Sequence, residues 1–356
     1  MRRMARLFTI VAVGAAFWHA AAAGATWTIA AVDTRTGDVG AAGAGCVDAD
    51  LIAVAGLVPR SGAVAAQGEY LERGRDLAVQ QVGLGRTPVQ ILTALTGAAF
   101  EPDSARRQYG IATTSGSGAF TGSKVEEWSG DRNGSGPGGN AVVIVDAAGD
   151  AEVAGRAFDA FQTTDRGPLH LTDRLMLALE AGSAAGGDKR CNVDGITQTA
   201  RSAFLVAARP EDPVFAAPSN TPLALIAGLP WLAVSEVNGD NRENPILDVR
   251  AEYDAWRAVS LPPCPDCNLD AIPVPEGDRQ APPPMDWGDV LGVAIVVLAA
   301  VVIVAVVSAL TVAVLRRRRV AGTAATVKGD APTADPDLEP GEPGEPDDTT
   351  ASETSR

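Results

Sequence analysis

Residues 290–315 hold no charged side chain, and a run this long cannot be apolar on every face inside an ordinary globular core. At about 1.5 Å per residue, a helix of that length crosses a hydrocarbon layer of roughly 30 Å with some to spare for tilt. Arg316, Arg317, Arg318 and Arg319 follow at once, a stop-transfer block that belongs on the cytoplasmic side. One span is therefore expected over 290–315, with a folded domain outside the cell membrane and the C-terminal tail inside. The start of the chain agrees. Residues 1–25 run from Arg2, Arg3 and Arg6 through a short apolar stretch to a small-residue end, the build of a secretory signal peptide. That stretch falls short of the roughly 20 residues a span requires.

Composition divides what remains. Prolines recur through residues 261–289, as expected of a semi-rigid stalk between domain and membrane. After the arginine block, residues 320–356 are acidic and rich in Pro, Gly, Thr and Ser, with too little apolar surface to fold, so disorder is expected over the tail. The globular part is then 26–260. The formal charge of −15 argues against a nucleic-acid partner, because neutralising phosphates takes clustered Lys and Arg. No motif calls for a metal or an organic cofactor, and a homo-oligomer is compatible with the sequence.

Within 26–260 the pattern is α+β. Residues 26–32 (TWTIAAV) and 39–46 (VGAAGAGC) flank the turn DTRTGD and read as an antiparallel hairpin, and residues 63–67 read as a further strand. Thr87 followed by Pro88 marks a helix start, with Val89, Leu92 and Leu95 on its inward side. A second hairpin is expected to turn at Ser115 to Gly118. Residues 151–162 and 171–187 read as amphipathic helices, the second stopped by Gly186 and Gly187. Residues 200–208 read as a buried strand. Strands and helices in blocks favour layered α+β over a doubly wound parallel sheet.

The four cysteines form an even set in an exported domain, so disulfides are the expectation. Cys264 and Cys267 are close enough in sequence to bridge each other, which leaves Cys46 for Cys191. Of the two histidines, His19 lies in the targeting segment, so any Ser–His or Cys–His catalysis would fall to His170. No G-x-S-x-G accompanies it, and His170 is expected on a helix surface. One nucleophilic mechanism needs no histidine. A Thr at a mature N-terminus can be activated by its own α-amine, with a reference pKa of about 7.7. Cleavage after Ala23-Gly24-Ala25 would leave Thr26 first, although cleavage after Ala22 or Ala23 is an equally ordinary outcome.

The stretches TWTIAAVDTRTGDVG (26–40), GLVPRSGAVAAQ (56–67), RQYGIAT (107–113), FTG (120–122), GGN (138–140) and LTDRLMLALEAGSAAGGDKR (171–190) resemble the domain of unknown function 1028 family. ENPILDVRAEYDAW near the end of the domain agrees, so the resemblance spans nearly the whole of 26–256. That family is grouped with the N-terminal nucleophile (Ntn) hydrolases. The resemblance implies a four-layer αββα sandwich with two antiparallel sheets, amide-bond hydrolysis, and Thr26 as the exposed first residue. The run AVVIVDAAGD after Asn140 departs from the family pattern.

On this reading Thr26 is both nucleophile and base. Asn140 or Gln67 would donate to an oxyanion, set against turn or sheet-edge roles. Asp188 and Arg190 would orient the amine or a substrate carboxylate, set against a structural ion pair. The other reading is a catalytically silent surface module that binds a ligand or partner on the same scaffold.

Overall fold

The computed structural model describes residues 26–192, 198–219, 221–238 and 243–277, all within one compact unit of the chain, Met1–Pro283. The expected signal peptide, membrane span and cytoplasmic tail lie outside the described residues. Among the described residues, no helix is long and apolar enough to cross a membrane.

In chain order the strands begin with β1 (Thr26–Val32), β2 (Val39–Gly45), β3 (Ala55–Val58), β4 (Gly62–Gly68), β5 (Arg107–Thr113) and β6 (Gly116–Thr121). They continue as β7 (Gly130–Gly136), β8 (Gly139–Val145), β9 (Ser202–Ala208), β10 (Phe215–Ala216) and β11 (Leu232–Val237). The helices are α1 (Glu72–Gly83), α2 (Pro88–Thr96), α3 (Glu152–Gln162), α4 (Leu171–Ala184) and α5 (Pro245–Ser260). Two antiparallel sheets result, one ordered β11-β9-β2-β1-β8-β7 and the other β10-β3-β4-β5-β6.

Small apolar side chains set the layering. Ala30, Val32, Ala41, Ala63, Ala65 and Ala112 pack between the sheets with Ile144 and Phe204. The alternate residues Trp27, Ile29 and Ala31 point the other way, toward α3, α4 and α5. Val64, Ala66 and Tyr109 likewise meet α1 and α2 on the outer face of the other sheet. Because inner strands are covered on both faces, they read as unbroken small apolar runs with no polar alternation. Close approach of α4 to β1 depends on Gly182, where an added Cβ would lie 2.4 Å from the Trp27 indole nitrogen. That indole is buried and donates to the Leu179 carbonyl at 3.4 Å.

Several local expectations change. Thr87 does cap α2, in a capping box with Gln90, but the buried residues are Pro88, Ile91 and Leu95, while Val89 is 74% exposed. The cap sets the phase, and i, i+3, i+7 counted from Pro88 is the inward stripe. The second hairpin turns earlier, at Thr114 and Ser115, since Thr113 pairs with Gly116. His170 is half-buried and serves as the α4 N-cap, its Nδ1 accepting from the Thr172 N–H at 3.3 Å.

The largest change concerns α4, which is buried around nearly its whole circumference and is not amphipathic. Residues 261–277, expected to leave as a stalk, instead run back over the helices. Glu180 of α4 accepts from the Ile272 N–H at 2.9 Å and from Arg250 at 3.0 Å. Burial pushes the Glu180 carboxyl upward, and the Arg250 charge works against that shift. Further along, Asn268 N–H donates to the Arg166 carbonyl and Asn244 Nδ2 to the Pro275 carbonyl, both at 2.9 Å. Disulfides join Cys46 to Cys191 and Cys264 to Cys267.

On β11, burial together with a carboxyl–carboxyl hydrogen bond to Glu252 pushes Glu236 up to about 7, with Asp248 and Asp50 adding to the shift. A carboxyl raised above its unfolded value binds more protons when folded. Its stabilising contribution is therefore complete below pH 4.5 and lost as pH rises through about 7. Solvent screening of this half-buried group reduces the effect to about 1 kcal/mol. Thermal unfolding of the domain is expected to show this fall between pH 5 and 8. Glu236→Gln should flatten it, and an unchanged slope in that variant would exclude Glu236 as its source.

Candidate active site at the start of the first strand

Strand pairing fixes what surrounds Thr26. It lies opposite Gly45 of β2, which in turn lies opposite Ser202 of β9. On the other flank Trp27 pairs with Val145, the last residue of β8, so the chain continues past Thr26 as Asp146. Thr26 thus begins an inner strand of the six-stranded sheet, between Gly45-Cys46 and Val145-Asp146.

Asp188 and Arg190 reach this same end. Asp188 is 1% exposed, and its Oδ2 accepts from the Cys46 N–H at 2.8 Å. Arg190 clamps the carboxylate with Nε at 3.2 Å and Nη2 at 3.0 Å, while its own N–H donates to Oδ1 at 3.0 Å. Burial pushes the Asp188 carboxyl upward, and Arg190 and the backbone donors oppose that shift. Burial works against the Arg190 charge as well, but Asp188, with Asp146 and Glu126 nearby, raises it above the usual arginine value. The pair therefore acts first as a structural tie. It holds the turn after α4 against the end of β2, reinforced by the Cys46–Cys191 disulfide.

Gln67 reaches the site from the other sheet. It is buried on β4 and donates through Nε2 to Gln108 Oε1 at 2.7 Å. Gln108 in turn donates to the Val145 carbonyl at 3.0 Å and to Thr121 Oγ1 at 2.7 Å. The two glutamines thus link the sheets beside the strand end that carries Trp27. Two more polar groups face the inter-sheet layer here. Thr28 and Ser202 are fully buried, and among the described residues their hydroxyls have no partner. Ala147, just after Asp146, adopts a left-handed backbone at φ 46°, a conformation costly for a residue with a side chain.

Asn140 does not belong to this site. It pairs with Val32 at the far end of β1, about 20 Å from Thr26 at roughly 3.3 Å per residue. Its amide donates to the Thr113 carbonyl at 2.8 Å and accepts from Ser135 at 2.5 Å, so it pins the start of β8 to the β5–β6 hairpin. The run AVVIVDAAGD that follows it is β8 itself and the turn beyond. His170 lies toward that far end too, with Nε2 3.4 Å from Asp38 Oδ2 beside the β1–β2 turn.

The chain matches the family of unknown function DUF1028 over residues 26–253, well over half its length. The chain belongs to this family. The DUF1028 match begins at Thr26, the first residue of β1. Among solved structures, the crystal structure of a DUF1028 protein from Silicibacter pomeroyi is similar, with a TM-score of 0.50 at 20% identity. The alignment covers 65% of this chain and 89% of that one, and at this identity it speaks to the fold alone. No curated protein matches the chain.

Within the DUF1028 domain, Gln67, Asp188 and Arg190 therefore converge on the Thr26 end and Asn140 does not. Gln108 is the residue that sequence reasoning missed. The signal available was a glutamine leading directly into the strand run YGIA, a polar group that burial obliges to find partners.

Proposed function

We propose that the domain is an N-terminal-nucleophile amide hydrolase, exported and held outside the cell by the 290–315 span. The observation that carries this reading is the position of Thr26. It sits on an inner strand opposite Gly45, at a sheet end where Asp188, Gln67 and Gln108 are buried and the half-buried Arg190 clamps Asp188. Helices outside two facing antiparallel sheets are the layering that the Ntn reading requires.

Cleavage after Ala25 would release the Thr26 α-amine. The neutral amine takes the proton from Thr26 Oγ as that oxygen attacks the amide carbonyl, then delivers it to the leaving nitrogen. Water, activated by the same amine, hydrolyses the resulting ester. Gln67 is the side-chain amide left to face the developing oxyanion, since Asn140 is at the wrong end. Asp188 and Arg190 act as positioning residues. They hold the Cys46 backbone, and with it Gly45, the pairing partner of Thr26.

The deciding measurement is the intact mass of the processed protein recovered from membranes. A chain beginning at Thr26 supports the mechanism. One beginning at Gly24 or earlier, with no second cleavage, buries the amine in a peptide bond and leaves the silent binding module as the reading.

A further inference from the structure

A cavity of about 170 Å³ opens beside the Thr26 end of the sheets, and six ionisable residues contribute to its lining. Glu69, Glu126 and Asp146 supply three carboxylates, while Arg106, Lys124 and Arg190 supply three cations. Val125 is the one large apolar residue among the lining. Position ties the cavity to the proposed chemistry. Glu69 follows Gly68, next after Gln67, and Asp146 directly follows Val145, the partner of Trp27.

Charge and size narrow the ligand. The chain as a whole carries −15, yet this lining is balanced, so neither a simple anion nor a simple cation is selected. An apolar acyl chain would strip water from these charges and return no hydrogen bonds. A molecule carrying both signs satisfies both halves of the lining. Part of the network is already fixed, Arg106 meeting Glu69 at 2.6 Å and Asp103 at 2.9 Å, and Arg190 being held on Asp188 at 3.0 Å. Lys124 and Glu126, just after β6, are exposed, and Lys124 meets Asp103 only loosely, at 3.7 Å. At about 170 Å³ the cavity is smaller than the roughly 300–1,000 Å³ typical of pockets for drug-sized ligands, which limits the ligand to about dipeptide size.

We infer that the site takes a small amide bearing both an ammonium and a carboxylate, of dipeptide size. The inference builds on the reading of Thr26 as nucleophile. In the reaction the C–N bond breaks, water supplies hydroxyl to the acyl carbon and a proton to nitrogen, and no redox partner is involved.

Binding and turnover separate the two ideas. Calorimetry on the full chain carrying Thr26→Ala would compare alanyl-alanine with its N-acetylated, C-amidated form. The free dipeptide is expected to bind about tenfold more tightly or better, equivalent to one good charged contact. Lys124→Gln and Glu126→Gln should each erode that preference. Equal or tighter binding of the capped peptide, or no binding of either, overturns the inference. So does a preference that survives in the Lys124→Gln/Glu126→Gln double variant, because the charges responsible would then lie elsewhere. Turnover is read separately on the wild-type chain. Alanyl-alanine that binds with the predicted preference but is never cleaved upholds the ligand class and overturns the hydrolase.

Discussion

Thr26→Ala is expected to abolish turnover, by at least about 10³-fold in kcat, while leaving the fold intact. The asymmetry follows from where the residue sits. Thr26 enters the sheet through backbone pairing with Gly45, which alanine reproduces, and the side chain that anchors the strand is its neighbour Trp27. The melting temperature should therefore stay close to that of the wild type. Thr26→Ser keeps a hydroxyl on the same backbone and should retain part of the activity. The pH profile carries a second signature. Because the base is an α-amine, kcat/KM should climb as pH rises through about 7.7 and lose its rising limb if the amine is acetylated. An alanine variant as active as wild type on any amide would end the mechanism, whatever the N-terminus proves to be.

How much of this was readable in the sequence differs by element. The first hairpin was legible because turn residues separate two small apolar runs, and that signal is local. The α2 cap was legible for the same reason, and Leu95 is buried as expected with Leu92 partly so, but Val89, inward on hydrophobicity alone, is turned outward by the phase the cap imposes. The surroundings of α4 were not legible. Asp173, Arg174 and Glu180 look like a solvent-facing stripe, yet each is buried against a group distant in sequence, as Glu180 is against Arg250 and the Ile272 N–H. The site divides in the same way. Glycine-flanked Asn140 and strand-end Gln67 look alike along the chain. Only the register of β1 against β8 puts Asn140 six residues from Thr26, while the pairing of β4 with β5 brings Gln67 to Gln108 and so to Val145. Pairing register is a long-range property, and it decides which end of a sheet a residue serves.

The same register gives the Cys46–Cys191 disulfide a heavier role than the Cys264–Cys267 pair. Cys46 and Cys191 are 145 residues apart, so their bond restrains much of the unfolded chain, whereas the other pair is separated by only 3. On the loop-entropy account, replacing both Cys46 and Cys191 by alanine is expected to cost about 3–5 kcal/mol, and replacing Cys264 and Cys267 much less. At roughly 2–4 °C per kcal/mol for a domain of this size, the first change should lower the melting temperature by about 10 °C. Activity should fall as well, and by more than residual stability explains. Without the crosslink, only the hydrogen bond from the Cys46 N–H to Asp188 and neighbouring strand pairing would hold the end of β2 beside Thr26. Assays at a temperature where both double variants remain folded separate the two effects. Equal melting temperatures for the two would remove the crosslink from any account of stability. Full activity in the Cys46/Cys191 variant would show that the sheet itself, with Trp27 seated on α4, is enough to place the strand end.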